Sequence, residues 1–102
     1  ELIVGSSDGY RRQARIFGLY PQKGCVAVGS DADLAFWDPD YERTYGVQVA
    51  QHRTDYNLYE GWQLRGFPRQ VFLRGKRIVA DRQWFGKGGS GRYLMAHPGE
   101  IL

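Results

Sequence analysis

Four aspartates, Asp31, Asp33, Asp38 and Asp40, flank one short apolar run from Leu34 to Trp37. Carboxylates are the hard oxygen ligands that divalent cations select, and the two-residue spacing of Asp31 and Asp33 puts both on one face of an extended strand. A metal site also needs its ligands to converge. An extended run between the two pairs holds them about 16 Å apart. Gly29-Ser30-Asp31 and Asp38-Pro39-Asp40 are, in addition, sequences in which an Asp side chain bonds the amides of a turn. Turn chemistry is the stronger reading, and none of the four is assigned to a metal.

The other reactive residue types are sparse. His52 and His97 are the only histidines, and no His-x-His, His-x-x-x-His or Cys-x-x-Cys pair exists to nucleate a transition-metal site. Ser, His and Asp are present without a Gly-x-Ser-x-Gly elbow. The run GKGGSGRY from Gly86 lacks the Gly-x-x-x-x-Gly-Lys-Ser/Thr order of a phosphate-binding loop and no helical pattern follows it, so it reads as a flexible tail. Cys25, the single cysteine, lies between apolar residues and reads as a small buried hydrophobe. No catalytic, cofactor-binding or metal-ligating residue is therefore assigned.

The elements that would position these residues are marked by punctuation. In SSDGYRRQARIFGLYP, Ser6, Ser7 or Asp8 can cap a helix that Gly18 and Pro21 stop. Tyr10, Ala14 and Phe17 form its apolar stripe, leaving Arg11, Arg12 and Arg15 for solvent. From Gly24 the period falls to two, with Gly, Pro and Asp at strand-length intervals. Strands are expected at Cys25 to Val28, Leu34 to Asp38, Thr44 to Ala50, Trp62 to Phe67, Val71 to Arg74, Arg77 to Ala80 and Gln83 to Phe85. Gly75 should turn a tight hairpin between the fifth and sixth of these. Pro68 should mark a strand start or an edge. Rings such as Trp37, Tyr41, Tyr59, Trp62, Phe67, Phe72 and Trp84 are expected in the core and in cross-strand pairs, in preference to a stacking platform for nucleic acid.

The 102 residues suffice for one domain, and 25% charged with 42% hydrophobic residues is an ordinary globular composition. A net charge of +3, spread along the chain, does not call for a nucleic-acid partner. Apolar runs are too short for a membrane helix, no leader pattern is visible, and one unpaired cysteine fits a reducing cytoplasmic compartment. Because residue 1 is Glu, the chain is expected to begin within a longer protein or after processing.

Taken in order, ARIFGLYPQKGCVAVGSDADLAFWDPD, QHRTDYNLYEGWQLRGFP and VFLRGKRIVADRQWFGKGGSGRYL resemble the C-terminal end of the dihydropyrimidinase and hydantoinase family of cyclic amidohydrolases. The resemblance runs from about Ala14 to Leu94. Gly24 to Leu34 carries a signature shared across amidohydrolases, whereas Gly18-Leu19-Tyr20-Pro21 and Asp55 to Gly61 narrow it to this family. The resemblance implies a mainly β fold: one short α-helix, then a partial β-sandwich, the amidohydrolase small domain. Residues 1–23 would be the remnant of the last barrel helix and its connector, 24–85 the sandwich, and 86–102 a C-terminal tail or oligomerisation arm.

The family chemistry so implied is hydrolysis of a cyclic amide by water activated on two divalent metal ions, usually zinc. Its ligands, a His-x-His pair, a carboxylated Lys, two further His and an Asp, sit on barrel strands and match no position here. The chain is thus expected to be a structural and assembly piece of such a hydrolase, not catalytic alone, with self-association or the missing barrel as partner. The alternative is a stand-alone small β-domain acting as a binding module. One departure from the family pattern, Asp81-Arg82 where the family has Asp-Gly, predicts a weakened last hairpin.

Overall fold

The computed structural model describes residues 3–4 and 8–100. Its elements are β1 (Ile3–Val4), α1 (Asp8–Ile16), β2 (Leu34–Thr44), β3 (Gln63–Leu73), β4 (Lys76–Ala80) and β5 (Gln83–Trp84). The strands form one sheet in the order β1-β2-β3-β4-β5, every pairing antiparallel. A mainly β chain with one short helix is therefore what the sequence builds. The described strands all lie in this one sheet, which is a single layer.

The helix ends where the sequence placed its stop. Gly18 takes φ +68, its amide bonds Arg15 O at 3.2 Å, and Leu19 and Tyr20 return to Ala14 O at 2.7 and 3.1 Å. Those bonds satisfy carbonyls that a helix end otherwise leaves bare. The capping candidates Ser6 and Ser7 lie outside the described residues.

Two strands are longer than their punctuation suggested. β2 runs straight through Asp38-Pro39-Asp40, because these residues form an irregularity and not a turn: Asp38 pairs with Phe67 and Glu42 with Arg65, so extra β2 residues bulge against β3. Asp40 N bonds Asp38 Oδ1 at 3.2 Å within the bulge, and Pro39, which has no N–H to offer, costs no ladder bond there. β3 likewise continues across Pro68, beside a second register shift between Phe36 and Trp37.

Two expected strands are absent. Cys25 to Val28 is a loop closed by Asp31 N to Gln22 O at 2.9 Å and Ser30 N to Ala27 O at 3.1 Å, with Val28 fully exposed. Beyond Thr44 the chain turns, Val49 and Ala50 both bonding Gly46 O. Alternation of small apolar residues carried the strand reading there, and among the described residues no neighbouring strand pairs with either segment.

Both hairpins of the second half form. At Arg74-Gly75 and at Asp81-Arg82 both central residues have positive φ, the geometry whose twist matches antiparallel strands. The last hairpin is thus present without a glycine, Ala80 pairing with Gln83 and Val79 with Trp84, and its final strand is two residues long. Its compensation lies in the contacts of Arg82 described below.

Candidate functional site

The four aspartates do not converge, and each is held by a cation of this chain. Lys23 Nζ lies 2.8 Å from Asp31 Oδ2 and also bonds Asp33 Oδ2. Asp33 Oδ1 in turn accepts the Arg74 amide at 2.8 Å, and Gly75 N bonds Ala32 O at 3.0 Å. The pair therefore clamps the β3–β4 turn to the loop after α1. Burial works against the Lys23 ammonium, but its bonds to both carboxylates outweigh that and raise its pKa. The same bond from Lys23 holds the Asp31 carboxyl below the usual carboxylate range.

The second pair is split between two partners. Arg82 reaches Asp38 Oδ2 at 2.7 Å and lies 3.7 Å over the Tyr41 ring, a charge pair and a cation–π stack in one side chain. Arg65 bonds Asp40 Oδ1 at 2.9 Å, and that bond raises the Arg65 pKa. Lys23, Arg65 and Arg82 were not singled out in the sequence as partners of these aspartates, and nothing local could have done so. Arg82 is 44 residues from Asp38.

No group of three or more His, Cys, Asp or Glu able to hold a metal occurs among the described residues. His52 Nδ1 is taken by Thr54 Oγ1 at 2.7 Å, while the backbone of His97 bonds Gly18 O at 2.9 Å beside the end of α1. The two-metal centre implied by the resemblance fits no set of residues here. Cys25 is half-buried, its Sγ 3.1 Å from Ser30 Oγ and 3.4 Å from Pro21 O.

What the structure does present is uncovered apolar surface. Ala14 is the one buried hydrophobic residue among the described residues, at 7% exposure, whereas Tyr10, Phe17, Tyr56, Leu58, Trp62, Trp84, Phe85 and Tyr93 are each more than half exposed. Some rings do pair as expected: Phe36 with Phe72 at 5.7 Å, Tyr41 with Phe67 at 6.3 Å and Tyr59 with Trp62 at 5.1 Å between centroids. The expected aromatic core is nevertheless corrected, since a single sheet with one helix has nothing to lay over its rings. The accessible area of 8205 Å² compares with about 5,900 Å² for a folded monomer of this size.

Three apolar surfaces stand out. Along α1, Tyr10, Ile16 and Phe17 are open. Between α1 and the sheet lies a concavity of about 550 Å³ whose lining includes Tyr10, Cys25, Trp37, Phe72 and Ile78. The third is the loop between β2 and β3, whose neck is closed by Tyr45 N to Trp62 O at 2.8 Å and Gly61 N to Tyr45 O at 2.9 Å, with Glu60 Oε2 accepting Val47 N at 2.8 Å. Such closed-neck loops order themselves, and this one displays Tyr56, Leu58, Tyr59 and Trp62 outward.

No protein-family model matches the chain. Over 83 residues it is 43% identical to the D-hydantoinase of Ralstonia pickettii, covering 81% of this chain and 18% of that protein. Among solved structures, the D-hydantoinase of Bacillus sp. AR9 superposes with a TM-score of 0.83 at 40% identity, covering 89% of this chain and 20% of that one. The dihydropyrimidinase of Brevibacillus agri superposes with a TM-score of 0.82 at 40% identity, covering 87% and 19%. The chain belongs to the hydantoinase and dihydropyrimidinase family.

It spans only about 18% of the length of the D-hydantoinases it matches, and so corresponds to a fragment of a hydantoinase-like protein. In a hydantoinase-family segment the signature glycine Gly24 has a local reason. A Cβ there would lie 2.5 Å from Ala14 Cβ, and its φ is +85, so only glycine lets the loop rest on α1. Among the described residues no helix is long and apolar enough to cross a membrane.

Proposed function

We propose that this chain is the C-terminal structural and assembly portion of a hydantoinase- or dihydropyrimidinase-like cyclic-amide hydrolase, and that it does no chemistry alone. The observation that carries this is the missing core: one buried hydrophobic residue against a surface about 2,300 Å² larger than a monomer of this size needs. A surface of that extent is on the scale of obligate interfaces. The hydrolase chemistry, water activated on two divalent ions, belongs in this reading to a barrel outside these 102 residues. The part played here is to present α1 and the sheet as a docking face for that barrel, or for a second copy when the barrel is absent. A cytoplasmic setting fits the lone, half-buried thiol.

The test is to purify the chain and measure three things: sedimentation, bound metal and hydrolysis of hydantoin or dihydrouracil. Self-association at micromolar concentration, substoichiometric metal and no turnover are expected. A well-behaved monomer at high concentration, or stoichiometric zinc with turnover, would overturn the proposal.

A further inference from the structure

The glycine-rich run from Gly86, set aside in the sequence as a tail without the order of a phosphate loop, does not hang free. Arg74 of the β3–β4 turn bonds Ser90 O and ties the run against the hairpin. Between them lies a second concavity of about 360 Å³, with Arg74, Lys76, Arg92, Ser90 and Asp31 among its lining residues. Three cations thus face one carboxylate, and that carboxylate already belongs to Lys23. Neither Lys76 nor Arg92 has an ion pair among the described residues.

The backbone adds donors. The amides of residues 88–92 make no hydrogen bond to another described residue, and a Cβ at Gly88, Gly89 or Gly91 would meet nothing within 4 Å. A glycine run with open amides, one residue of it at φ +77, is the kind of backbone that cradles anions. Guanidinium groups beside it match the fork of a phosphate.

We propose that this cleft is an oxyanion site that takes a soluble phosphate ester or pyrophosphate. It uses Arg74 as the fixed wall and Lys76 and Arg92 as the charge, with Ser90 beside them in the lining. The site does not rest on the proposed function, since its argument uses only the charges and geometry of this cleft.

Pyrophosphate titrated into the isotopically labelled chain, in the assembled state in which it purifies and at 0.15 M salt, tests this by NMR. Saturable shifts confined to the amides of Gly75, Lys76 and residues 88–92 are expected. Lys76→Gln with Arg92→Gln should weaken binding about tenfold, the scale of two exposed charge contacts. Arg11→Gln with Arg12→Gln, which removes the same charge from α1, should change it less than twofold. Failure to saturate, or equal weakening by both double variants, would overturn the site. Binding to phosphoinositide vesicles without any response to pyrophosphate would overturn the assignment to a soluble ligand.

Discussion

Lys23 occupies the place a cation bound by Asp31 and Asp33 would take, which is why the most metal-like pair in the chain behaves as a clamp. Its pH dependence follows from the two shifts. A carboxyl held below its ordinary 3.8 when folded stabilises at pH above that value, and the contribution is lost as pH falls through the folded value. An ammonium raised above 10.5 stabilises below that value, and the contribution is lost as pH rises through the folded one. The protection of the Gly75 amide, the slowing of its exchange relative to an unstructured chain at the same pH, should therefore be high between these limits and fall on acidification below pH 4. Lys23→Met should remove that acid step while leaving exchange in α1 unchanged. Asp33→Ala, which also strips the Arg74 amide of its acceptor, should cost about 1 kcal/mol in urea denaturation. Arg82 is the second informative residue. It holds φ +67, costly for any side chain, against a pair with Asp38 and a stack on Tyr41. Arg82→Gly should relieve the strain while losing the contacts. Arg82→Ala should lose the contacts and keep the strain, leaving it about 1 kcal/mol less stable than the glycine variant.

At the level of elements, the tail is held at the β3–β4 turn through Ser90 and again at the end of α1. His97 N bonds Gly18 O at 2.9 Å and Glu100 N bonds Arg15 O at 3.1 Å; Arg15 Nε also lies 2.9 Å from Glu100 Oε2, an ion pair without hydrogen-bond alignment. Contact this close requires glycine on both sides. A Cβ on Gly18 would meet His97 O at 1.7 Å, and one on Gly99 would meet Ile16 O at 1.9 Å. Gly18→Ala should detach the tail, at a cost of about 2 kcal/mol from the backbone strain alone, and trypsin should then cut after Arg92 several times faster. The helix stop and the Gly75 hairpin were legible in the sequence because each depends on a residue with one conformational use. The run-through of β2 was not. Asp-Pro-Asp serves a turn and a bulge equally well, and the choice lies with β3, whose Phe67 and Arg65 hold the register on either side. Nor could Cys25 to Val28 be recognised as a loop, since alternation shows an apolar face but not whether a partner strand lies beside it.

For the molecule as a whole, a radius of gyration of 15.5 Å against about 13 Å for a compact chain of this length agrees with the uncovered rings. If α1 is a docking face, Tyr10→Ser with Phe17→Ser should shift sedimentation toward monomer without altering the sheet's circular dichroism. Family membership and the mainly β class were determined by the sequence itself, because they rest on local motifs: the Gly24 to Leu34 signature with Gly18-Leu19-Tyr20-Pro21 and Asp55 to Gly61 for the family, and the period-two runs with the Gly75 turn for the class. Only the tertiary structure decided which cation each aspartate meets, that β2 and β3 run on through their prolines, that the glycine run closes a basic cleft, and that the aromatic residues lie open. Those outcomes depend on contacts between residues far apart in the chain, and on a covering layer that these residues do not supply.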